Sequence, residues 1–207
     1  MTESLNFAAF SPTTYADVLG RSRVMALGIR EMWAGMPRLA GPAFTVRCPP
    51  GDNLMLHAAI YRAAPGEVIV VQSGDLEYAL SGGNVCAIAQ QRGIAGFVCD
   101  GVIRDVAEVR EARFPVFARG VVPVPGKKQT LGTLNQPIVC GGVAVSPGDI
   151  VVADEEGIVV VPAADQRSVW EQAQEKSDRE ANQSLADWEA NHRAKVDGIL
   201  QHLGFQA

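Results

Sequence analysis

The sequence predicts an α/β protein: a domain with a partly parallel core sheet, followed by a helical C-terminal extension. Three observations carry that expectation. Between residues 43 and 119 short apolar runs alternate with helix-patterned segments in the order β-α-β-α-β-α-β, which implies right-handed crossovers and a largely parallel sheet. From Gly120 to Pro162 helical periodicity disappears, and β-rich runs separated by turn residues replace it. From Ala163 onward the chain is helical in pattern and rather polar.

The elements follow in order. Short helical pieces fill Thr13 to Gly28, with Thr13 or Thr14 placed to cap a helix through Val18 and Leu19. Pro37 and Gly41-Pro42 are expected to break the chain. Ala43 to Cys48 alternates apolar and polar residues, as a strand with one wetter face does, and Pro49-Pro50-Gly51 ends it. Asp52 or Asn53 caps the next helix, which carries Leu54, Leu56, His57, Ile60 and Tyr61. Pro65-Gly66 turns the chain into Glu67 to Gln72, a buried strand, while the pattern of Asp75 to Leu80 decides nothing. Gly82-Gly83-Asn84 opens a helix that runs through Arg92 and ends on Gly93. Ala95 to Cys99 is a strand, Asp105 to Ala112 a helix with Val106 and Val109 on one side, and Val116 to Arg119 a further strand. The β-rich half offers Pro137 to Val145, Asp149 to Ala153 and Gly157 to Val161, as antiparallel strands packed on the first half or curling away from it. In the tail the apolar positions are Trp170, Leu185, Trp188, Val196, Ile199, Leu200 and Leu203, while Glu171 to Asn182 is almost wholly polar. So polar a helix packs poorly on its own domain. Residues 1–162 are therefore read as the domain. Residues 163–207 are read as an extension on a neighbouring subunit, anchored by Trp170 and Trp188, or else as a solvated tail.

Composition narrows the function classes. The chain of 207 residues, 47% hydrophobic and 20% charged, is long enough to bury a core without disulfides or structural zinc. A net charge of −5 with no basic block argues against a nucleic-acid partner. Cys48, Cys86, Cys99 and Cys140 form no C-x-x-C pair and read as reduced, buried thiols. The first ten residues lack the features of a signal peptide, and no apolar run reaches membrane-spanning length, so a cytoplasmic protein with no membrane partner is expected.

The chemistry concentrates in Ser81 to Asp105. Glycines at 82 and 83 let a ligand approach the backbone, and the free amides of the first helical turn, near Gly83 to Cys86, favour a carboxylate or phosphate. Glycines before a helix also serve structure alone. Arg104-Asp105 follows a strand at the sheet edge where α/β ligand sites lie. Arginine clamps a carboxylate in two-pronged fashion, and aspartate suits a hard divalent cation such as Mg²⁺. The competing reading is an Asp105 helix cap beside a solvated Arg104. His57 reads as structural, Asp52 and Asn53 as cap residues, and Asp149, Asp154, Glu155 and Glu156 as solvated turns. Lys127-Lys128 is a short basic loop, solvated or facing an anionic substrate.

The segments LAGPAFTV (39–46), PPGDN (49–53), PGEVIVV (65–71), RGIAGFVCDGVIRD (92–105), FPVFARG (114–120) and PGDIVVADEEGIVVVP (147–162) carry a resemblance. Over residues 13–162 the chain resembles the family that includes the regulator of ribonuclease activity A (RraA) and the class II 4-hydroxy-4-methyl-2-oxoglutarate/4-carboxy-4-hydroxy-2-oxoadipate aldolases. The resemblance implies a swivelling β/β/α domain, an α-β-β-α sandwich, assembled as homotrimers or homohexamers with sites between subunits. It implies a carbon–carbon lyase, aldolase or oxaloacetate decarboxylase, dependent on Mg²⁺ or Mn²⁺, that acts on pyruvate-derived 2-oxo acids through a metal-stabilised enolate. In the family motif Asp-x20-Arg-Asp, Arg104 would bind the substrate's carboxylate and keto oxygen, and Asp105 the metal. Gly82, Gly83, Asn84 and Val85 would complete the substrate site.

One position departs from the motif: Gly83 stands where the aldolases have an acid. Asp100, Asp75, Glu77, or Glu175 or Glu180 from a neighbouring subunit, are the candidates for the missing proton-transfer role. Oxaloacetate decarboxylation reaches the pyruvate enolate without a base for a hydroxyl proton, so the departure favours it. A non-catalytic RraA-like regulator, or diverged small-acid chemistry on the same scaffold, are the alternatives.

Overall fold

The computed structural model describes residues 5–205. The first half runs α1 (Pro12–Leu19), β1 (Arg30–Glu31), β2 (Leu39–Arg47), α2 (Leu54–Ala59), β3 (Val68–Gln72), α3 (Gly83–Gln91), β4 (Gly96–Asp100), β5 (Val102–Ile103), α4 (Val106–Glu111) and β6 (Val116–Ala118). It continues with β7 (Gly120–Val121), β8 (Thr133–Leu134), β9 (Ile138–Cys140), β10 (Val143–Val145), β11 (Ile150–Asp154), β12 (Gly157–Val161), α5 (Gln166–Ala181) and α6 (Leu185–His202). The main sheet has the order β1-β6-β4-β3-β2-β11-β12, with β8 also on β2. Strands β2, β3, β4 and β6 are mutually parallel, as the alternating first half requires, and β11 and β12 add antiparallel.

Strand alternation builds the layers. On β2, β3 and β4 the side chains of Phe44, Val46, Ile69, Val71, Phe97 and Cys99 pack under α2, α3 and α4. Their neighbours Ala43, Val68, Val70 and Val98 face the other way, against the β9–β10 hairpin and Val151, Ala153, Ile158 and Val160 of β11 and β12. The opposite face of β11 and β12, Ile150, Val152, Val159 and Val161, packs on α1, α5 and the N-terminal aromatics Phe7, Phe10 and Tyr15. Helix, sheet, sheet, helix is the α-β-β-α sandwich. Burial on both faces explains why these strands read as unbroken apolar runs.

Two local expectations change. Gly41-Pro42 does not break the chain but lies inside β2. Residues 39–42 pair antiparallel with β11 and residues 43–47 parallel with β3, so Pro42, which has no N–H, sits where the strand changes partner. Gly41 is required by proximity, because a side-chain carbon there would run into the Gly66 carbonyl. Ser11, not Thr13 or Thr14, caps α1: its hydroxyl accepts from Thr14 N at 3.3 Å, with Pro12 at the first helical position.

The tail divides. Val169 and Ala173 of α5 are buried in the chain's own third layer. Trp170 donates from Nε1 to Asn6 O at 3.1 Å and packs 5.6 Å from the Phe10 ring, so it anchors α5 to its own domain rather than to a partner. The boundary expected after residue 162 therefore falls inside a packed cluster. The polar run misled because α5 has few apolar positions, and two of them, 169 and 173, are four apart and share one face. Helix α6 differs: it buries nothing, and Leu185, Trp188, Val196, Ile199 and Leu203 are all exposed.

Candidate active site

The sheet delivers the carboxyl end of β4 and the start of α3 to one edge, and β5 carries the chain from there to Arg104. Arg104 N donates to Ser81 O at 2.9 Å, locking the two segments side by side. Asp105 then takes a left-handed backbone, φ 56°, at the cap position of α4. Aspartate is among the few residues that tolerate this region.

The Asp105 side chain makes no capping hydrogen bond to α4. Its Oδ2 instead accepts from Gly83 N at 3.1 Å, across the gap to α3, and lies 3.4 Å from Arg104 Nε. The simple cap reading of Asp105 is thus replaced by a carboxylate aimed at the glycines. The Asn84 and Val85 amides, next in the first turn of α3, have no intrahelical acceptor.

The two glycines are vacated for acids. A side-chain carbon on Gly82 would run into Asp105 Oδ2, and one on Gly83 would run into Glu108 Oε2. The space that an acidic side chain at 83 would enter is already held by a carboxylate from α4. Sequence reading missed Glu108. The available signal was its place three residues after Asp105: the third residue past a helix cap leans back over the helix start.

A narrow recess of about 60 Å³ opens here. Gly82, Asn84, Val85, Arg104 and Asp105, all named from sequence, line it, and Asn53, His57 and Lys128 form the facing side. Burial, then Lys128 and Arg104, lower the His57 pKa to about 4, so its imidazole is neutral near pH 7. A larger groove of about 640 Å³, near Phe7, Gly41, Ile150 and Arg167, has no comparable convergence of carboxylates and cations.

Within this chain none of the other proton-transfer candidates lines the recess, and Glu175 and Glu180 are candidates only from a neighbouring subunit. Asp100 is paired with Arg119 and accepts from Gly141 N at 2.7 Å, tying β4 to the β9–β10 hairpin. Asp75 binds the amides of Glu77 and Tyr78 within its own turn. Glu175 and Glu180 belong to α5, where Glu180 pairs with Lys176. No thiol competes as a nucleophile: all four cysteines are buried, and burial pushes Cys48 to about 11 and Cys86 to about 12.

Asp52 steadies the far wall. It is 4% exposed, and its carboxylate accepts from Leu54 N at 2.9 Å, Gln129 N at 2.7 Å and Thr130 N at 2.9 Å. Burial alone would raise its pKa, but these donors and Lys128 outweigh it and hold the group below the usual range. With the folded value depressed, its stabilisation is fully present above the unfolded pKa of about 4 and is lost as pH falls through the folded value. Asp52→Asn is expected to cost about 2 kcal/mol at pH 7 and less at pH 3, measured by urea unfolding at both.

A model of the RraA-like family, described as aldolase/RraA, matches residues 13–160. The chain belongs to the RraA-like family. A protein of Halalkalibacterium halodurans, provisionally named a 4-hydroxy-4-methyl-2-oxoglutarate aldolase, is 41% identical over 164 residues, 79% of this chain and 74% of the relative. The Streptomyces coelicolor protein RraAS2, described as an unusual member of the RNase ES inhibitor RraA family, superposes with a TM-score of 0.75 at 31% identity, covering 84% of this chain and 91% of that one. The RNA-processing inhibitor RraA from Thermus thermophilis gives 0.66 at 28% identity, covering 78% and 94%. The RraA-like fold is therefore established for this chain. Among the described residues no helix is long and apolar enough to cross a membrane.

Proposed function

We propose that this RraA-like protein is a divalent-metal-dependent carbon–carbon lyase for pyruvate-derived 2-oxo acids, cleaving aldols, decarboxylating oxaloacetate, or both. The observation that carries the reading is the meeting of Arg104, Asp105 and Glu108 at the glycine-lined start of α3. The donor set fits Mg²⁺ or Mn²⁺: two carboxylates over a cradle that a Cβ would fill, with solvent on one side. Asp105 would hold the ion, with Glu108 the second carboxylate in reach. The ion, when bound, supplies Lewis acidity toward a carboxylate and keto oxygen.

The chain's own groups do the rest. Arg104 binds the 2-oxo acid and balances negative charge growing on its keto oxygen as the neighbouring carbon–carbon bond breaks. The Asn84 and Val85 amides, at the positive end of α3, take the carboxylate's other side. Glu108 positions the water that moves the hydroxyl proton in aldol cleavage, the part that residue 83 cannot play.

The names of the RraA relatives favour a second reading, a regulator that binds without turnover. Pyruvate release from oxaloacetate and from 4-hydroxy-4-methyl-2-oxoglutarate, with Mg²⁺ or Mn²⁺, separates the two. Turnover that needs the metal supports the lyase, and none from either substrate supports the regulator.

The same reading places the protein in the cytoplasm as a homotrimer or homohexamer. The exposed apolar residues of α6 are the surface a neighbouring subunit would cover. Light scattering is expected to give three or six times the chain mass of 22.0 kDa, and a monomer would contradict it.

A further inference from the structure

We propose that Arg119, acting through Asp100, is a positioning residue for Arg104 and Asp105: their ion pair pins the register of β5, and β5 delivers both site residues to the glycine-lined start of α3. The bearing on catalysis rests on the lyase reading, whereas the positioning itself does not.

Packing does not hold Arg104 and Asp105. Their side chains are 40% and 35% exposed, and Asp105 occupies a left-handed backbone. Their placement therefore depends on the backbone that leads into them. That backbone is β5, the middle of three segments. On one side Leu80 N donates to Val102 O at 2.9 Å, and Arg104 N to Ser81 O at 2.9 Å. On the other side β7 pairs in parallel, Val102 with Gly120 and Ile103 with Val121, and Val122 N donates to Ile103 O at 2.9 Å. Gly82 and Gly83 follow directly from Ser81, so the position of β5 sets the gap that the Gly83–Asp105 hydrogen bond spans. A ladder of two residue pairs holds its register weakly, and a slip by one residue turns every side chain to the opposite face.

Arg119 fastens the start of this ladder at two points. Its amide donates to Gly101 O at 2.8 Å, and its guanidinium Nε donates to Asp100 Oδ1. The other oxygen of the same carboxylate accepts from Gly141 N at 2.7 Å, so Asp100 is anchored to the β9–β10 turn as well. Two glycines make the room. A side-chain carbon on Gly28 would meet Arg119 Nη1 at 2.7 Å, and one on Gly101 would meet Leu80 Cδ1 at 2.7 Å. A partly buried, charge-assisted contact is stronger than the neutral bonds of the ladder it fastens. Neither Asp100 nor Arg119 lines the recess, so the pair acts on the chemistry only through the strand.

The test reads the amides before the activity. Hydrogen-exchange mass spectrometry follows peptides covering residues 81–86 and 101–106, with residues 68–72 of β3 as the internal standard. Arg119→Met is expected to speed exchange about tenfold in the first two peptides and to leave β3 unchanged. In the same variant kcat/KM for oxaloacetate with Mg²⁺ is expected to fall about tenfold, the consequence of site residues displaced from their working geometry. A pair that served stability alone would lower the melting temperature and loosen β3 together with the site. If Arg119→Met does not fold, Asp100→Asn, which keeps an acceptor for Gly141 N, takes its place with the same expected values. Exchange that is unchanged in the two site peptides, or that rises equally in β3, overturns the positioning role, as does faster exchange there with unchanged kcat/KM. Wild-type protein without turnover overturns the lyase reading alone, and the exchange comparison then decides the positioning.

Discussion

Asp105→Asn is expected to lower metal-dependent pyruvate release from oxaloacetate at least about 100-fold, with the fold intact. Asparagine is the informative substitution. Residue 105 sits at φ 56°, where alanine would add backbone strain of about 1 kcal/mol and blur a functional loss with a structural one. Asparagine tolerates that backbone and keeps an oxygen for the Gly83 amide, so only the charge is removed. A melting temperature within about 3 °C of wild type, together with lost turnover, is the expected pair of results. Retained turnover would mean that the ion is held elsewhere or is not needed.

The second large effect concerns the acid that sequence alone declares missing. Glu108→Ala is expected to reduce aldol cleavage by about 100-fold, a usual loss for a group that handles a proton. Gly83→Asp by itself should not help, because the new side chain meets Glu108 Oε2. Joined, the two changes move the carboxylate from α4 to α3, where an acid in the first turn also suits the helix dipole. The double variant is expected to recover activity to within about tenfold of wild type, measured as pyruvate release from 4-hydroxy-4-methyl-2-oxoglutarate. A double variant no better than Glu108→Ala would show that the two positions are not equivalent in space.

That swap illustrates what was legible in the sequence and what was not. Arg104, Asp105 and the glycines could be placed at one sheet edge because a β-α-β chain puts strand ends and helix starts together. Glu108 could not be weighed the same way. A motif read along the chain compares residue 83 with an acid, whereas the recess compares volumes, and the volume at 83 is filled from another helix. His57 reads as structural and Lys128 as either solvated or facing an anionic substrate, so their place stays open in the sequence for a similar reason. Each looks ordinary in its own segment, a helical histidine and a loop lysine, and only the clamp from Asp52 to the 129–130 amides carries the loop to the recess.

The fold was more legible than the tail. The apolar runs of β3 and β4 were legible as strands because each is buried on two sides, and the resemblance supplied the sandwich that their two faces build. In α5 the apolar content is low but concentrated on one face, and the partner surface from Phe7, Phe10 and Tyr15 is formed by residues far away in sequence. Mean polarity is a poor guide to docking when Val169, Trp170 and Ala173 decide it. In α6 nothing is buried within its own chain.

Asp105, with Glu108 beside it, is proposed to hold a hard divalent cation at the glycine-lined start of α3. The most direct measurement is anomalous scattering from crystals soaked in Mn²⁺. One peak within coordinating distance, about 2.2 Å, of an Asp105 carboxylate oxygen, absent in Asp105→Asn, is the predicted result. No peak at Asp105, or a peak that persists in Asp105→Asn, would contradict it.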